Sequence, residues 1–378
     1  MKLKTFLLDH WLDEHAGSPI DFNMATSTGP RWKLRELLDL AGQGALERLL
    51  DVGVDYSRSA GDTPLREAIA EMEGVPPESV VVVAGGAEAL HHVFFLAAEP
   101  GANVIVPFPG FPSFEAIPQS LGLEVRSYHL RQENSYQVDL DEVKRLGDAS
   151  TKLLLVNCPH NPTGATLSDA EMQTLHDFAA ARGIQFVSDQ VYHPIYHGRE
   201  TGSAAALPHA TVIGDFSKAL SLSGLRLGWI IERDARRRAE YLNAREYLTI
   251  SNSPMAEFLG LIAIENREKI LGRARAATRA NLEHLDGLFA DFSEIIQWVR
   301  PQGGTTGFPR IISGADGRVF SRAAVQSGLL FAPGDCFGVA DHFRVGFGVG
   351  AEWYPRAMER FAEFLNAWAH APRASMTA

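Results

Sequence analysis

Short unbroken apolar runs recur along the first two thirds of the chain. They are Ser79–Ala84 (SVVVVA), Asn103–Val106, Lys152–Asn157 (KLLLVN), Ile184–Ser188 (IQFVS), Thr211–Gly214 and Leu227–Ile231. None alternates apolar with polar positions as a strand with one wet face would, so each is expected as a strand covered on both faces. Helical spacing fills the intervals. In Ser168–Arg182, Met172, Leu175, Phe178 and Ala179 form one apolar stripe. Ser168 and Glu171 make a capping box at its start, and Gly183 closes its end. Strands alternating with such helices predict an α/β fold with a mainly parallel sheet, whose ligand site lies beyond the carboxyl ends of the strands.

The pattern changes after about Asn243. Arg273–Phe292 reads as one long helix able to bridge two domains. Gly303, Gly304, Pro309 and Gly314 mark turns between short strands, and Glu352–Ala369 reads as a closing helix. The first 45 residues lack the strand–helix alternation and are expected to pack against this C-terminal part. The expected division is a large domain over 46–275 and a smaller one built from 1–45 and 276–372.

Composition narrows the function. With 378 residues, 46% of them hydrophobic, the chain fills a large core. A net charge of −11 advertises no basic face for nucleic acid. No apolar run approaches membrane-spanning length, and Phe6–Leu8 is too short for the core of a signal peptide. Cys158 and Cys336 lie far apart and form neither a disulfide framework nor a zinc knuckle, which suits a reducing, cytoplasmic setting.

The polar residues that interrupt the strand ends carry the candidate chemistry. Gly85–Gly86–Ala87 follows the first strand and opens a helix, whose free N–H groups bind a phosphate or merely turn the chain. The pattern is neither a dinucleotide fingerprint nor a P-loop. Asn161-Pro162-Thr163-Gly164 is a stiffened turn, with Asn161 placed to offer its amide to a ring oxygen. Asp189 ends an apolar strand, where burial is costly unless it caps a helix or meets a cation such as a protonated ring nitrogen. Tyr192 follows within reach of the same ring. Lys218, flanked by Phe216 and Leu220, is a solvated loop lysine or a Schiff-base amine. Arg226 is a natural bidentate phosphate clamp.

In this order the motifs NPTG (161–164), SDQVY (188–192), SK (217–218) and GLRLGW (224–229) resemble those of the class I/II aminotransferases, enzymes of fold type I that depend on pyridoxal 5′-phosphate. The resemblance runs from about Tyr56 to Phe347. It implies a mostly parallel seven-stranded sheet with a smaller α/β domain. It further implies transfer of an amino group from an L-α-amino acid to a 2-oxo acid, through an aldimine on Lys218 and pyridoxamine phosphate. By the same resemblance Asp189 pairs with the pyridinium nitrogen, and Asn161 and Tyr192 hold the phenolic oxygen. Gly86, Ala87, Ser217 and Arg226 form the phosphate cup, while Phe111 stacks on the ring. Arg344 grips the substrate carboxylate, with Asn161 and the 25–30 segment around Gly29 lining the substrate cleft. Tyr56 reaches the phosphate of a neighbouring subunit, which implies a homodimer.

Two departures stand out. Asp215 occupies a position usually held by Ser or Thr, and its charge would repel a phosphate, so it is expected to turn toward Arg226 or a backbone donor. Gly86 and Ala87 bring no hydroxyl to the cup. Tyr247–Ser251, Ser253-Pro254 and Pro301–Arg310 are similar to the capreomycidine synthase branch of the family, which implies elimination and ring closure on a hydroxylated arginine-like amino acid as the alternative reaction. A non-enzyme alternative, the effector domain of a transcription regulator, lacks a basic helix-turn-helix in the residues before Tyr56. The pair His91-His92 and the nearby His160, His193 and His197 have no metal-ligand spacing. Arg236–Arg238 is expected as a solvated face, and Trp229, Phe94 and Phe95 as core.

Overall fold

A computed structural model describes residues 2–370; the last two residues of the expected small domain, 371–372, lie outside them. Seven strands form the main sheet. They are β1 (Val80–Val83), β2 (Asn103–Phe108), β3 (Glu124–His129), β4 (Thr151–Asn157), β5 (Gln185–Asp189), β6 (Ala210–Asp215) and β7 (Gly228–Ile231). Their spatial order is β1-β7-β6-β5-β4-β2-β3. Only β7 runs antiparallel to its neighbours β1 and β6; the other pairs are parallel.

Successive residues of a strand point to opposite faces, and both faces here are covered. Val81, Val83, Val104, Leu153, Val187 and Ile213 pack under Leu90, Val93 and Phe94 of α1 (Gly86–Ala97). Val82, Ile105, Leu154, Phe186 and Val212 face Met172, Leu175 and Phe178 of α2 (Asp169–Ala181). Each such side chain contributes roughly 1.5–3 kcal/mol by leaving water. At the start of α2 the capping box is closed: Ser168 N donates to Glu171 Oε2 at 2.8 Å and Glu171 N to Ser168 Oγ at 3.3 Å.

The apolar runs do not reveal β3. It is an edge strand of sequence EVRSYH with one buried side chain, and Arg126 ties Glu124 to Asp148 along its rim. Charge on an exposed edge discourages further pairing and erases the apolar signature. The long helix α3 runs Arg267–Asp291, starting at Arg267 rather than Arg273. Phe95 is 49% exposed and is not core. Arg237 is no bare surface charge, since it pairs with the buried Glu232 at 2.9 Å.

A separate aromatic core joins Phe22 and Met24 to Leu282 and Leu285 of α3. To these it adds Phe320, Phe331, Phe343, and Phe361 and Trp368 of α4 (Tyr354–His370). Phe22–Asn23 pairs in parallel with Leu329–Leu330, so the N-terminal segment is stitched to the C-terminal body. At the carboxyl edge of the sheet β4, β5 and β6 end side by side in Asn157, Asp189 and Asp215, and Ser27 and Arg344 reach this edge through hydrogen bonds with Lys218 and Asn161.

Candidate active site

A cavity of about 220 Å³ opens beyond those strand ends, lined among others by Gly86, Ala87, Phe111, Asn157, Asn161, Asp189, Tyr192, Asp215, Ser217, Lys218 and Arg226. Ten residues that sequence reasoning marked for the cofactor were Gly86, Ala87, Phe111, Asn161, Asp189, Tyr192, Ser217, Lys218, Arg226 and Tyr56. All but Tyr56 line this one cavity. Tyr56, which the resemblance sends to the phosphate of a neighbouring subunit, is 81% exposed on a loop.

The cup end is shaped by glycine. Gly85 has φ +89°, and a Cβ there would lie 2.9 Å from Arg226 Nη2, so only glycine lets the guanidinium reach the start of α1. Arg226 itself adopts φ +50° and is anchored by Nη1 donating to Ser223 O at 3.1 Å. The N–H groups at the start of α1, the Arg226 guanidinium and the Ser217 hydroxyl line this end of the cavity, a set of donors suited to an anion. Asp215 turns to backbone donors and not to Arg226: its Oδ1 accepts from Ser217 N at 2.9 Å and Lys218 N at 3.2 Å. Burial raises its pKa.

At the middle of the cavity Asp189 is buried. Burial, aided by the charge of Asp215 nearby, pushes its carboxyl up to about 7, against a hydrogen bond from Val191 N and the charge of Lys218. Such a group calls for a cation. The Tyr192 hydroxyl is buried without a partner. Asn157, which sequence reasoning missed, places both neighbours: its Nδ2 donates to Asp189 O at 3.1 Å and its Oδ1 accepts from Asn161 N at 2.8 Å. A lone amide ending the KLLLVN run was the available signal. Phe111 meets Phe6 edge-on at 5.7 Å.

The far end is built by the other body. Arg344 is fully buried, donates to Asn161 Oδ1 at 3.0 Å and to Ala25 O at 2.6 Å, and leaves Nε unpartnered. No carboxylate pairs with it among the described residues. Gly29 packs against Ser221, where a Cβ would collide with the hydroxyl. Lys218 Nζ donates to Ser27 Oγ at 2.9 Å, a contact the sequence did not reveal. The nearby histidines are neutral: burial drives His160 to about 3, and His193 and His197 to about 4.

An anion cup, a buried carboxyl awaiting a cation, an orphan phenol, an amine and an unpaired guanidinium match the groups of pyridoxal 5′-phosphate and an amino acid's carboxylate in turn. Comparison with known proteins bears on the family and the cofactor. The chain is 30% identical to the capreomycidine synthase of Streptomyces vinaceus over 320 residues, 83% of this chain and 82% of that one. It is 30% identical to the arginine–pyruvate transaminase of Pseudomonas aeruginosa over 337 residues, 85% and 84% of the two chains. A PLP-dependent aminotransferase of Streptococcus suis superposes with a TM-score of 0.91 at 25% identity, covering 98% of this chain and all of that one. The cofactor implied by these likenesses is pyridoxal 5′-phosphate. The family model for aminotransferases of class I and II matches residues 53–361, and the chain belongs to that family.

Proposed function

We propose that the protein moves the amino group of an L-α-amino acid to a 2-oxo acid. The observation that carries this reading is Arg344, a buried guanidinium without a carboxylate partner, bonded to the Asn161 that lines the Lys218 cavity. A buried cation of this kind is costly unless an anion meets it, and a substrate α-carboxylate is the anion that brings an amino group with it. Bound in the cavity, the cofactor supplies an electron sink when a bond at the substrate Cα breaks. The chain does the rest. Lys218 holds the cofactor and, once displaced, moves the proton; Asp189 keeps the ring nitrogen charged; Tyr192 and Asn161 orient the phenolic oxygen. Gly86, Ala87, Ser217 and Arg226 hold the phosphate, Phe111 covers the ring, and Gly29 shapes the substrate cleft.

The same proposal includes two domains, supported by the separate aromatic core, and a homodimer. Val54 and Tyr56 in one segment, and Tyr247, Leu248 and Ile250 in another, are exposed. Both segments are fastened to one buried polar cluster. Arg245 donates to Ser59 O and Asn252 Oδ1, Ser57 bonds Glu257, and Thr249 donates to Glu88 at 2.6 Å. Rigid support for apolar side chains in water fits a partner surface, and it presents Tyr56 outward toward a second copy.

Elimination with ring closure is the second reading. It is supported by the likeness to capreomycidine synthase and by the placement of the 301–310 segment, where Gly304 packs on the Tyr192 ring and Thr305 bonds Ser27. Absorption spectra of the loaded enzyme, mixed with single L-amino acids and no oxo acid, separate the two. Transamination converts the cofactor once, with one equivalent of oxo acid released. Cyclisation restores the starting spectrum while product accumulates. A spectrum indifferent to every amino acid overturns both.

A further inference from the structure

The segment before Gly29 is held almost wholly by the C-terminal body. Met24 O accepts from Gly346 N at 2.6 Å, Ala25 O from Arg344 Nη2 at 2.6 Å and Ser27 O from the buried Thr305 Oγ1 at 2.8 Å. One side chain of the segment reaches the other way: Ser27 Oγ accepts from Lys218 Nζ at 2.9 Å. The lysine forms no ion pair with a carboxylate among the described residues, although Asp189 and Asp215 line the same cavity.

We propose that Ser27 is a positioning residue for the Lys218 amine in the state where substrate has displaced it from the cofactor. The inference rests on the reading of Lys218 given above. A group that must both take and return a proton needs an anchor that tolerates both of its charge states. A carboxylate would bind the ammonium form tightly and hold the proton there. A hydroxyl is neutral and accepts one N–H from either form, which leaves the lone pair, or the proton to be delivered, pointing into the cavity. Because Thr305 and Arg344 fix the Ser27 segment, the anchor stands in place when the C-terminal body is seated on the site. The same arginine that meets the substrate carboxylate thereby helps to set where the displaced amine waits.

Two variants and two readouts test this. Borohydride reduction of the loaded wild type comes first: failure to trap the cofactor on Lys218 overturns the underlying reading and the inference with it. In the apoprotein, which needs no substrate, Lys218 of Ser27→Ala should be reductively methylated several-fold faster than in the wild type, with Ser27→Thr close to the wild-type rate. Equal rates in wild type and Ser27→Ala overturn the contact. With the amino acid that alters the spectrum of the loaded enzyme, exchange of the Cα hydrogen in heavy water should slow about tenfold in Ser27→Ala. KM should hardly move, the α-deuterium isotope effect should rise, and Ser27→Thr should restore both exchange and isotope effect. A Ser27→Ala enzyme that traps cofactor normally and exchanges at the wild-type rate overturns the role while leaving Lys218 as the anchor of the cofactor.

Discussion

The two ends of the active site are built by different means. The cofactor end comes from consecutive strand termini of one parallel sheet: Asn157, Asp189 and Asp215 close β4, β5 and β6, and the start of α1 follows β1. Its side chains are placed by strand register and covered by two apolar layers. The end proposed for the substrate is assembled from pieces distant in sequence. Thr305 and Arg344 bond the segment that carries Ser27 and Gly29, while Phe22–Asn23 adds to Leu329–Leu330 ahead of it. A parallel sheet yields a rigid, general-purpose half, and the substrate half is where one family fold diversifies its chemistry.

The largest effect tests the rigid half. Asp189→Asn is expected to keep the cofactor, since the cup and Lys218 are untouched, and to lose on the order of 10²–10³ in turnover because a neutral amide cannot hold the ring nitrogen charged. Near-normal turnover would remove that role from Asp189. The same variant has a signature in the apoprotein. The folded carboxyl keeps its proton up to about pH 7, whereas an unfolded aspartate releases it at about pH 4. As pH rises between those values the unfolded chain sheds the proton first, so folding stability falls. Thermal unfolding of the wild-type apoprotein should therefore lose more between pH 5 and pH 8 than that of Asp189→Asn. Parallel curves would place the charge of Asp189 in balance already without cofactor.

This contrast also explains what was legible in the sequence. The strand-end residues announced themselves because polar groups at the ends of apolar runs are conspicuous, and short motifs fix their spacing. Asn157 carried the same signal but was passed over beside the more telling NPTG turn. The resemblance put the 25–30 segment in the cleft, but nothing local singled out Ser27, whose meaning depends on Lys218, a residue 191 positions away. Likewise β3 was hidden by its charged edge. The direction of Asp215 was legible only in part. Repulsion from a phosphate pointed toward Arg226 or a backbone donor; backbone donors of its own turn take Oδ1, while Oδ2 stays beside Gly86.

Arg344 gives the next effect, at the substrate end. Arg344→Gln removes the charge while keeping an amide able to bond Ala25 O. Loss of a charge-assisted bidentate contact costs about 1.5–3 kcal/mol, so kcat/KM should fall roughly 10–100-fold, mainly through KM. Cofactor absorption should be unchanged, because Asn161 keeps its bond to Asn157. A variant with unaltered KM for every amino acid would detach Arg344 from the substrate and leave it a structural cation.

Asp215 gives the smallest effect and returns to the cofactor end. Its Oδ1 accepts from two amides, while Oδ2 lies 3.5 Å from where a Cβ on Gly86 would stand, at the mouth of the cup. When ionised, this oxygen repels an incoming phosphate across a short gap; the helix N-terminus and Arg226 offset that repulsion without abolishing it. Asp215→Asn keeps the acceptor for Ser217 N and Lys218 N and deletes the charge. Cofactor affinity at pH 8, read by fluorescence titration of the apoprotein, should tighten about threefold to tenfold. The gain should shrink as pH falls, because burial raises the carboxyl's pKa and the wild-type residue regains its proton on the way down. A gain independent of pH would mean the carboxylate stays ionised throughout, whereas an unchanged affinity would mean the two backbone amides already neutralise it. In that second case the cup would owe nothing to the absent hydroxyl, and the unusual residue would serve only to shape the turn that carries Lys218.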